Sequence, residues 1–256
     1  MKMNKSKELQ IAIKAAKMGG KILVKYQGKV KTSYKDNFFD AASFLTKADI
    51  KSEEKIVRIL KKNFPKYNIY SEEKIKEHQG SDYTWYIDPL DGTSNFSRNI
   101  PLFGISIGLI KNGQPILGVL YFPKLKLLLH AEKGSGAYAN GNKIKVSKRD
   151  LKKSLYYSGG YYKRGLQLKK TVAERVGLIK IIDATSYELA QIAMGDAELY
   201  ILESVLHDVS AGVIIIREAG GKVTDYKGEE WNVNSKGIVA SNKIINKEVI
   251  KILKRE

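Results

Sequence analysis

Residues 85–96 constrain the fold of this chain more than any other part of the sequence. Residues 85–87 are aromatic or apolar, as in a buried strand. Pro89 fixes its own φ angle and removes a backbone donor, and Gly92 permits a conformation in which a Cβ would clash. The sequence therefore predicts a strand that ends in a tight turn.

This turn carries two carboxylates, Asp88 and Asp91, which leave the strand close together. Such carboxylates repel each other unless a cation lies between them, and hard oxygen ligands on a rigid turn suit Mg²⁺. The backbone N–H groups of Gly92, Thr93 and Ser94 can converge on an anion. An ordinary Asp-rich turn is the alternative, but the pattern favours a metal and phosphate site.

The segment resembles the DPhDGTxNF signature (h is apolar) of the inositol monophosphatase family. That family belongs to a superfamily with fructose-1,6-bisphosphatases and 3'(2'),5'-bisphosphate nucleotidases. Three further motifs match in the family's order, so the resemblance runs from about residue 9 to the C-terminus: they are residues 46–49, 71–73, and 208–212 followed by 218–221. The resemblance implies a layered α/β/α/β/α sandwich of the sugar phosphatase type.

Hydrophobic periodicity divides the chain into an α+β half, residues 1–143, and an α/β half, residues 144–256. The first half begins with amphipathic helices in 9–23 and 50–64, separated by a hairpin or mobile loop at 27–45, which borders the active site in the family. Antiparallel strands follow, with a hairpin turn at 111–114. In the second half the predicted helices and strands alternate; the helices are 166–176, 187–194, 208–219 and one from 247, and the strands lie near 155 and at 179–182, 198–202, 222–224 and 237–240.

Composition excludes several classes of protein. With 256 residues, 43% of them hydrophobic, the chain can bury a large core. No apolar run approaches the ~20 residues of a membrane helix, and no signal-peptide pattern opens the sequence. Cysteine is absent, which excludes thiolate chemistry and disulfides. We therefore expect a cytoplasmic protein with no membrane partner.

The net charge of +18 is compatible either with nucleic-acid binding or with a solvated, lysine-rich surface. The lysines are scattered, and neither a basic tail nor an aromatic-interleaved binding motif is present. We expect no nucleic-acid partner. The positive potential favours the approach of anionic small molecules instead.

Two more carboxylates, Glu72 and Asp208, are candidate metal ligands. Glu72 follows an apolar strand that could run beside Asp88, although a Glu-Glu pair is more often a solvated surface. Asp208 opens an apolar helix, where an N-cap role is the alternative. The resemblance implies that two to three Mg²⁺ ions are bound. It implies that the first ion is held by Glu72, Asp88 and the Leu90 carbonyl. The second would be held by Asp88, Asp91 and Asp208, and a looser third by Glu72. His207 replaces the Trp that usually precedes the Asp, and we interpret it as structural.

For the chemical step, the resemblance implies hydrolysis by an activated water. Asp49 and the Thr93 hydroxyl would orient and deprotonate that water, while the amides of residues 92–94 hold the phosphate oxygens. A helix N-terminal carboxylate without a catalytic role is the alternative for Asp49.

The resemblance to members that act on inositol 1-phosphate and fructose 1,6-bisphosphate implies that the substrate is a small-molecule sugar or inositol phosphate. Ser94-Asn95 stands where nucleotidases carry Lys-Glu, which favours the inositol phosphatase branch. A bisphosphate nucleotidase and a non-catalytic binding or regulatory relative are the alternatives. A homodimer is also expected. The candidate substrate contacts, each with a turn, cap or surface role as its alternative, are Ser158, Gly159, Thr185, Ser186, Glu203 and Arg164, the last with Lys163 facing a second phosphate.

Overall fold

The computed structural model describes residues 5–29, 33–34, 44–45, 47–158, 170–203 and 205–255. A 3₁₀ turn, Leu151–Lys153, precedes the second sheet. Seven α-helices lie within the described ranges: α1 (Lys7–Tyr26), α2 (Lys47–Asn63), α3 (Thr93–Ser97), α4 (Lys170–Ala173), α5 (Thr185–Met194), α6 (Leu206–Glu218) and α7 (Asn246–Leu253).

The strands of the described residues form two large sheets and one two-stranded pair. The pair consists of β1 (Ser33–Tyr34) and β2 (Phe44–Leu45), which run antiparallel, as a hairpin requires. The first large sheet has the order β10-β9-β8-β7-β6-β5-β3-β4 and contains β3 (Asn68–Ser71), β4 (Lys76–Glu77), β5 (Tyr83–Asp91), β6 (Gly104–Lys111), β7 (Gln114–Phe122), β8 (Leu127–Glu132), β9 (Ala137–Ala139) and β10 (Asn142–Lys143).

The second sheet has five strands in the order β12-β11-β13-β15-β14. Its strands are β11 (Leu155–Ser158), β12 (Leu178–Lys180), β13 (Leu199–Leu202), β14 (Lys222–Thr224) and β15 (Ile238–Ser241). β11 runs parallel to β12 and β13, whereas the other pairs are antiparallel. The first sheet ends at Lys143 and the second begins at Leu155, while the proposed division at residue 143 stays a prediction.

Helices and sheets alternate in five layers, as predicted. α1 and α2 cover the outer face of the first sheet, α5 and α6 lie between the sheets, and α4 and α7 cover the second sheet. The central layer packs very closely, because a Cβ at Gly118 of β7 would lie 2.4 Å from the Ala211 carbonyl oxygen of α6. This contact keeps α6 in place against the first sheet.

Local sequence accounts for most of these elements. α1 begins where the Ser6 hydroxyl accepts a hydrogen bond from Leu9 N (3.0 Å), an N-cap, and it buries the predicted apolar stripe. β6 and β7 are joined by Asn112 and Gly113, whose φ angles of 48° and 78° fit the predicted two-residue hairpin turn. The predicted helix at 166–176 is wrong at its C-terminal end, since α4 ends at Ala173; residues 159–169 lie outside the described ranges. No helix among the described residues has the length and apolar character needed to cross a bilayer.

His130 of β8 is a buried titratable group outside the candidate site. The side chain is 2% exposed and stacks on Tyr138, and among the described residues its Nδ1 has no hydrogen-bond partner. Burial lowers the pKa of His130 to about 4. The folded pKa lies below the unfolded value of about 6.5, so the unfolded chain binds the extra proton as pH falls through this window.

We therefore expect stability to fall by up to about 3 kcal/mol between pH 6.5 and 4 through His130 alone. His130→Phe should remove this part of the pH dependence, measured by urea unfolding across that range. The matched control is His78→Phe, because His78 is exposed. Parallel pH profiles of wild type and His130→Phe would contradict the assignment.

Candidate active site

The C-terminal end of β5 forms the centre of the candidate site. Pairing with β6 shifts register between Asp88 and Asp91, where the turn interrupts the ladder. Leu90 N donates to Asp88 Oδ1 (2.9 Å), which fixes one carboxylate. Gly92 has φ 80°, and a Cβ there would lie 2.7 Å from the Leu102 carbonyl oxygen. The turn therefore requires glycine both for its conformation and for its close packing.

The carboxylates of this turn are buried and affect one another. Asp88 is 2% exposed and Asp91 is 7% exposed. Burial, followed by the charges of Glu72, Asp91 and Asp208, raises the pKa of Asp88 well above its usual range. Burial also raises the pKa of Asp91 to about 6, although hydrogen bonds from Ser186 oppose the shift. These groups form a cluster in which each ionised carboxylate disfavours ionisation of its neighbours.

Parallel pairing of β3 with β5 brings Glu72 to this cluster. Ser71 pairs with Ile87, and Glu72 N donates to the Ile87 carbonyl (3.0 Å). Glu72 therefore follows the strand at the level of Asp88, as the sequence predicts. The side chain is half-buried.

Asp208 reaches the cluster from the first turn of α6. Burial is the main cause that raises the pKa of Asp208 above its usual range, and the charges of Asp91 and Glu72 add to it. His207 Nε2 lies 3.1 Å from Asp208 Oδ1, and the His207 carbonyl accepts a hydrogen bond from Ser106 Oγ of β6 (3.1 Å). His207 therefore contacts a candidate ligand directly, a role that the sequence interpretation missed.

The first turn of α2 lies against the same turn. Asp49 is 1% exposed, and Ser52 Oγ donates to the Pro89 carbonyl (2.9 Å). Glu53 Oε1 accepts hydrogen bonds from Lys74 N (3.0 Å) and Ile75 N (3.3 Å), which hold the chain that follows Glu72. Sequence reasoning missed Ser52 and Glu53, although polar residues three and four positions after Asp49, on the buried face of a helix, were a usable signal.

Thr93 Oγ1 donates to the Leu90 carbonyl (2.9 Å), so two predicted site groups are in contact. Phe96 N donates to Gly92 O (2.9 Å), the first backbone bond of α3. The amides of Thr93 and Ser94 precede this bond, and therefore no carbonyl of α3 can accept from them. They lie where the sequence places the phosphate donors.

The predicted substrate contacts lie in several environments. Ser158 ends β11 and is buried, whereas Thr185 Oγ1 lies 2.9 Å from the Tyr200 hydroxyl. Ser186 is fully buried, and its backbone N donates to Asp91 Oδ2 (2.9 Å). Glu203 is exposed. Outside the described residues lie Gly159, Lys163 and Arg164, and also Thr46 of the second motif.

The predicted metal ligands are not assembled into a coordination shell. Within the ranges that the structure describes, no group of three or more His, Asp or Glu side chains is arranged so that it could hold a metal ion. The carboxylates accept hydrogen bonds from separate neighbours, since Asp88 bonds to Leu90 N and Asp91 to Ser186. The carboxylates influence one another electrostatically, but they do not surround a common metal position.

Comparison with known proteins gives a consistent result. The family model described as "Inositol monophosphatase family" matches residues 4–256. A fructose-1,6-bisphosphatase/inositol-1-monophosphatase of Thermotoga maritima is 35% identical and covers 96% of this chain and 95% of its own. A Nus factor SuhB of Pasteurella multocida is 33% identical over 94% of each chain.

A solved structure agrees with the sequence relatives. The extragenic suppressor protein SuhB of Bartonella henselae superposes with a TM-score of 0.90, at 31% identity, and covers 98% of this chain and 99% of its own. The match of a family model to nearly the whole chain, together with this shared fold, shows that the protein belongs to the inositol monophosphatase family of phosphatases.

Proposed function

We propose that this protein is a Mg²⁺-dependent phosphomonoesterase that hydrolyses inositol 1-phosphate and fructose 1,6-bisphosphate. The observation that carries the proposal is the cluster of buried Asp88 and Asp91 with half-buried Asp208, whose pKa values are all raised. A cluster of this kind at the end of a strand, next to the backbone amides of the first turn of α3, suits a cation and a phosphate together.

The donor set fits Mg²⁺ in its chemistry, because all the groups are hard oxygens. Glu72, Asp88 and the Leu90 carbonyl would hold one ion, and Asp88, Asp91 and Asp208 a second, with Glu72 available to a third. Binding would require these side chains to converge, since they are not arranged as a metal site. When bound, Mg²⁺ supplies a water of lowered pKa and neutralises charge on the phosphoryl and leaving oxygens.

The chain itself would bind the phosphoryl group and orient the water. Backbone N–H groups of Gly92, Thr93 and Ser94 would donate to the phosphate oxygens that do not react. Thr93 Oγ1 donates a hydrogen bond to the Leu90 carbonyl. The lone pairs of this oxygen are therefore directed to accept a hydrogen bond from the attacking water. Asp49 would take the other proton as the water oxygen bonds to phosphorus and the ester P–O bond breaks. The departing oxygen would gain a proton from solvent, and Asp49 would return its own proton to solvent after the product leaves.

The leaving group would be held by the second half of the chain. Ser158, Thr185 and Glu203 would present hydroxyl and carboxylate groups to a polyol. Gly159 and Arg164, which lie outside the described residues, are proposed to join them. The Ser186 hydroxyl already donates to Asp91, so a substrate contact by this side chain stays a prediction as well.

The expected homodimer also stays a prediction, and light scattering tests it. Leu178, Ile179 and Ile181 are exposed at the β12 edge of the second sheet, which favours a dimer interface there.

We expect inositol 1-phosphate and the 1-phosphate of fructose 1,6-bisphosphate to be hydrolysed with similar kcat/KM, and adenosine 3',5'-bisphosphate at least about tenfold less efficiently. The phosphoryl group is common to all three, while the proposed leaving-group contacts are polar and suit hydroxyls rather than a flat base. Phosphate release at fixed Mg²⁺ measures the three values. A preference for the adenosine compound would favour the nucleotidase alternative.

A regulatory role is a second candidate, favoured by the relative named Nus factor SuhB. It predicts a function that persists when the carboxylates are neutralised. Complementation by Asp88→Asn in a strain that lacks this protein separates the two: survival with a dead phosphatase supports regulation, and loss of function supports catalysis.

A further inference from the structure

The turn at 91–95 is bound by a short segment of the second half, residues 182–186, which we call the clasp segment. Asn95 Nδ2 donates to the Ile182 carbonyl (2.8 Å) and also to the Leu102 carbonyl (3.0 Å). Ser94 Oγ donates to Asp183 Oδ2. A Cβ at Gly92 would lie 3.2 Å from Ala184 Cβ, so the two backbones also pack closely. The clasp segment and the turn therefore form one hydrogen-bonded unit.

Ser186 ends the clasp segment and makes the most direct contact with a candidate ligand. Its backbone N (2.9 Å) and its hydroxyl both donate to Asp91 Oδ2. The side chain is fully buried on α5, and helix geometry restricts its rotamers. Two donors on one oxygen restrain rotation of the Asp91 carboxylate, whose other oxygen is thereby given a fixed direction.

A buried carboxylate of α5 fixes the start of the clasp segment. Ile182 N donates to Glu188 Oε1 (3.1 Å), and Glu188 is 1% exposed. The hydroxyl of Ser186 therefore donates from a residue of α5 and not from a loop. A hydrogen bond from a neighbouring side chain commonly determines how well a carboxylate serves as a metal ligand.

We infer that Ser186 is a positioning residue, which orients Asp91 for cation binding through its hydroxyl. The inference rests on the proposed function for the consequence in catalysis, but the contact itself does not. It also joins the two halves of the chain chemically, because the donor comes from α5 and the acceptor from β5.

Ser186→Ala tests the inference, since it deletes the hydroxyl and keeps the backbone donor. Mg²⁺ titration by calorimetry without substrate should give a dissociation constant about 10–100-fold higher than that of wild type. At saturating Mg²⁺, kcat should fall and KM change little. The matched control is Ser154→Ala, because Ser154 is equally buried and its hydroxyl donates to a carbonyl (Leu151, 2.7 Å) away from the turn.

Hydrogen exchange of the peptide 88–97 separates failure of this inference from failure of the proposed function. Faster exchange in Ser186→Ala than in wild type and Ser154→Ala supports the positioning contact, even if the wild type proves not to bind Mg²⁺. Unchanged exchange, or a wild-type Mg²⁺ affinity in Ser186→Ala, overturns it.

Discussion

Asp88→Asn should lower kcat/KM by about 10³-fold, the scale of losing an electrostatic group that acts on the transition state. Asp88 is proposed to serve two cations, and its loss weakens both. The amide keeps the shape and an Oδ1 that can still accept from Leu90 N. Phosphate release over a range of Mg²⁺ concentrations measures the effect.

The same change should stabilise the protein in EDTA. A buried carboxyl with a raised pKa destabilises the folded state at neutral pH, because burial disfavours its ionised form. The favourable contribution of the Asp88 carboxyl to the free energy of unfolding is present below the unfolded pKa and is lost as pH rises through the folded pKa. The stability gained by Asp88→Asn should therefore shrink in acid. Each kcal/mol corresponds to about 2–4 °C in Tm for a chain of this size.

Asp225→Asn is the matched control. Asp225 Oδ1 accepts from Lys227 N (2.8 Å), two residues ahead, in the geometry that Asp88 has with Leu90, but in an exposed turn. We expect unchanged activity and Tm there. The cluster assignment is wrong if Asp88→Asn keeps activity within about tenfold of wild type or lowers the Tm in EDTA.

Thr93→Ala and Asp49→Asn should each lower kcat by about 10²–10⁴-fold, the range for loss of general-base assistance, with little change in KM. Thr93 Oγ1 is hydrogen-bonded to Leu90 O, and Asp49 is 1% exposed at the first turn of α2. Because both are proposed to act on one water, the double variant should lose little more than the worse single variant. Steady-state kinetics at saturating Mg²⁺ measures all three.

Thr93→Ser should retain most activity, because it keeps the hydroxyl. The control Thr84→Ala removes a hydroxyl at the other end of β5, where Oγ1 accepts from Asn68 Nδ2 (3.2 Å), and should leave kcat unchanged. A rise in KM alone, or fully multiplicative losses in the double variant, would contradict a shared water.

Local sequence determined the elements and the turn. The apolar strand and Gly92 predict a strand that ends in a turn, and the φ angle of Gly92 agrees with that prediction. Pro89 does not end the strand, because β5 continues to Asp91. Helical periodicity located α1 and α2, and turn chemistry located the β6–β7 hairpin. These features depend on neighbouring residues, so one sequence was enough to predict them.

The family motifs located the ligand candidates but not their contacts. The resemblance implies Ser186 as a substrate contact but gives no sign that its hydroxyl donates to Asp91, 95 residues earlier in the chain. His207 was interpreted as structural, and it lies beside Asp208. Side-chain partners at such separations follow from how layers pack, which periodicity does not encode.

The sequence by itself determined the family, the layered architecture and the carboxylates that carry the charge. Only the tertiary structure decided how those carboxylates are held, because α2, α5 and α6 bring Ser52, Ser186 and His207 to the turn, and β3 brings Glu72, from separate parts of the chain. Asp88 and Asp91 have raised pKa values because those layers bury them together and bring Glu72 and Asp208 close to Asp88. Burial and mutual repulsion are properties of the packed molecule, so no local pattern could supply them.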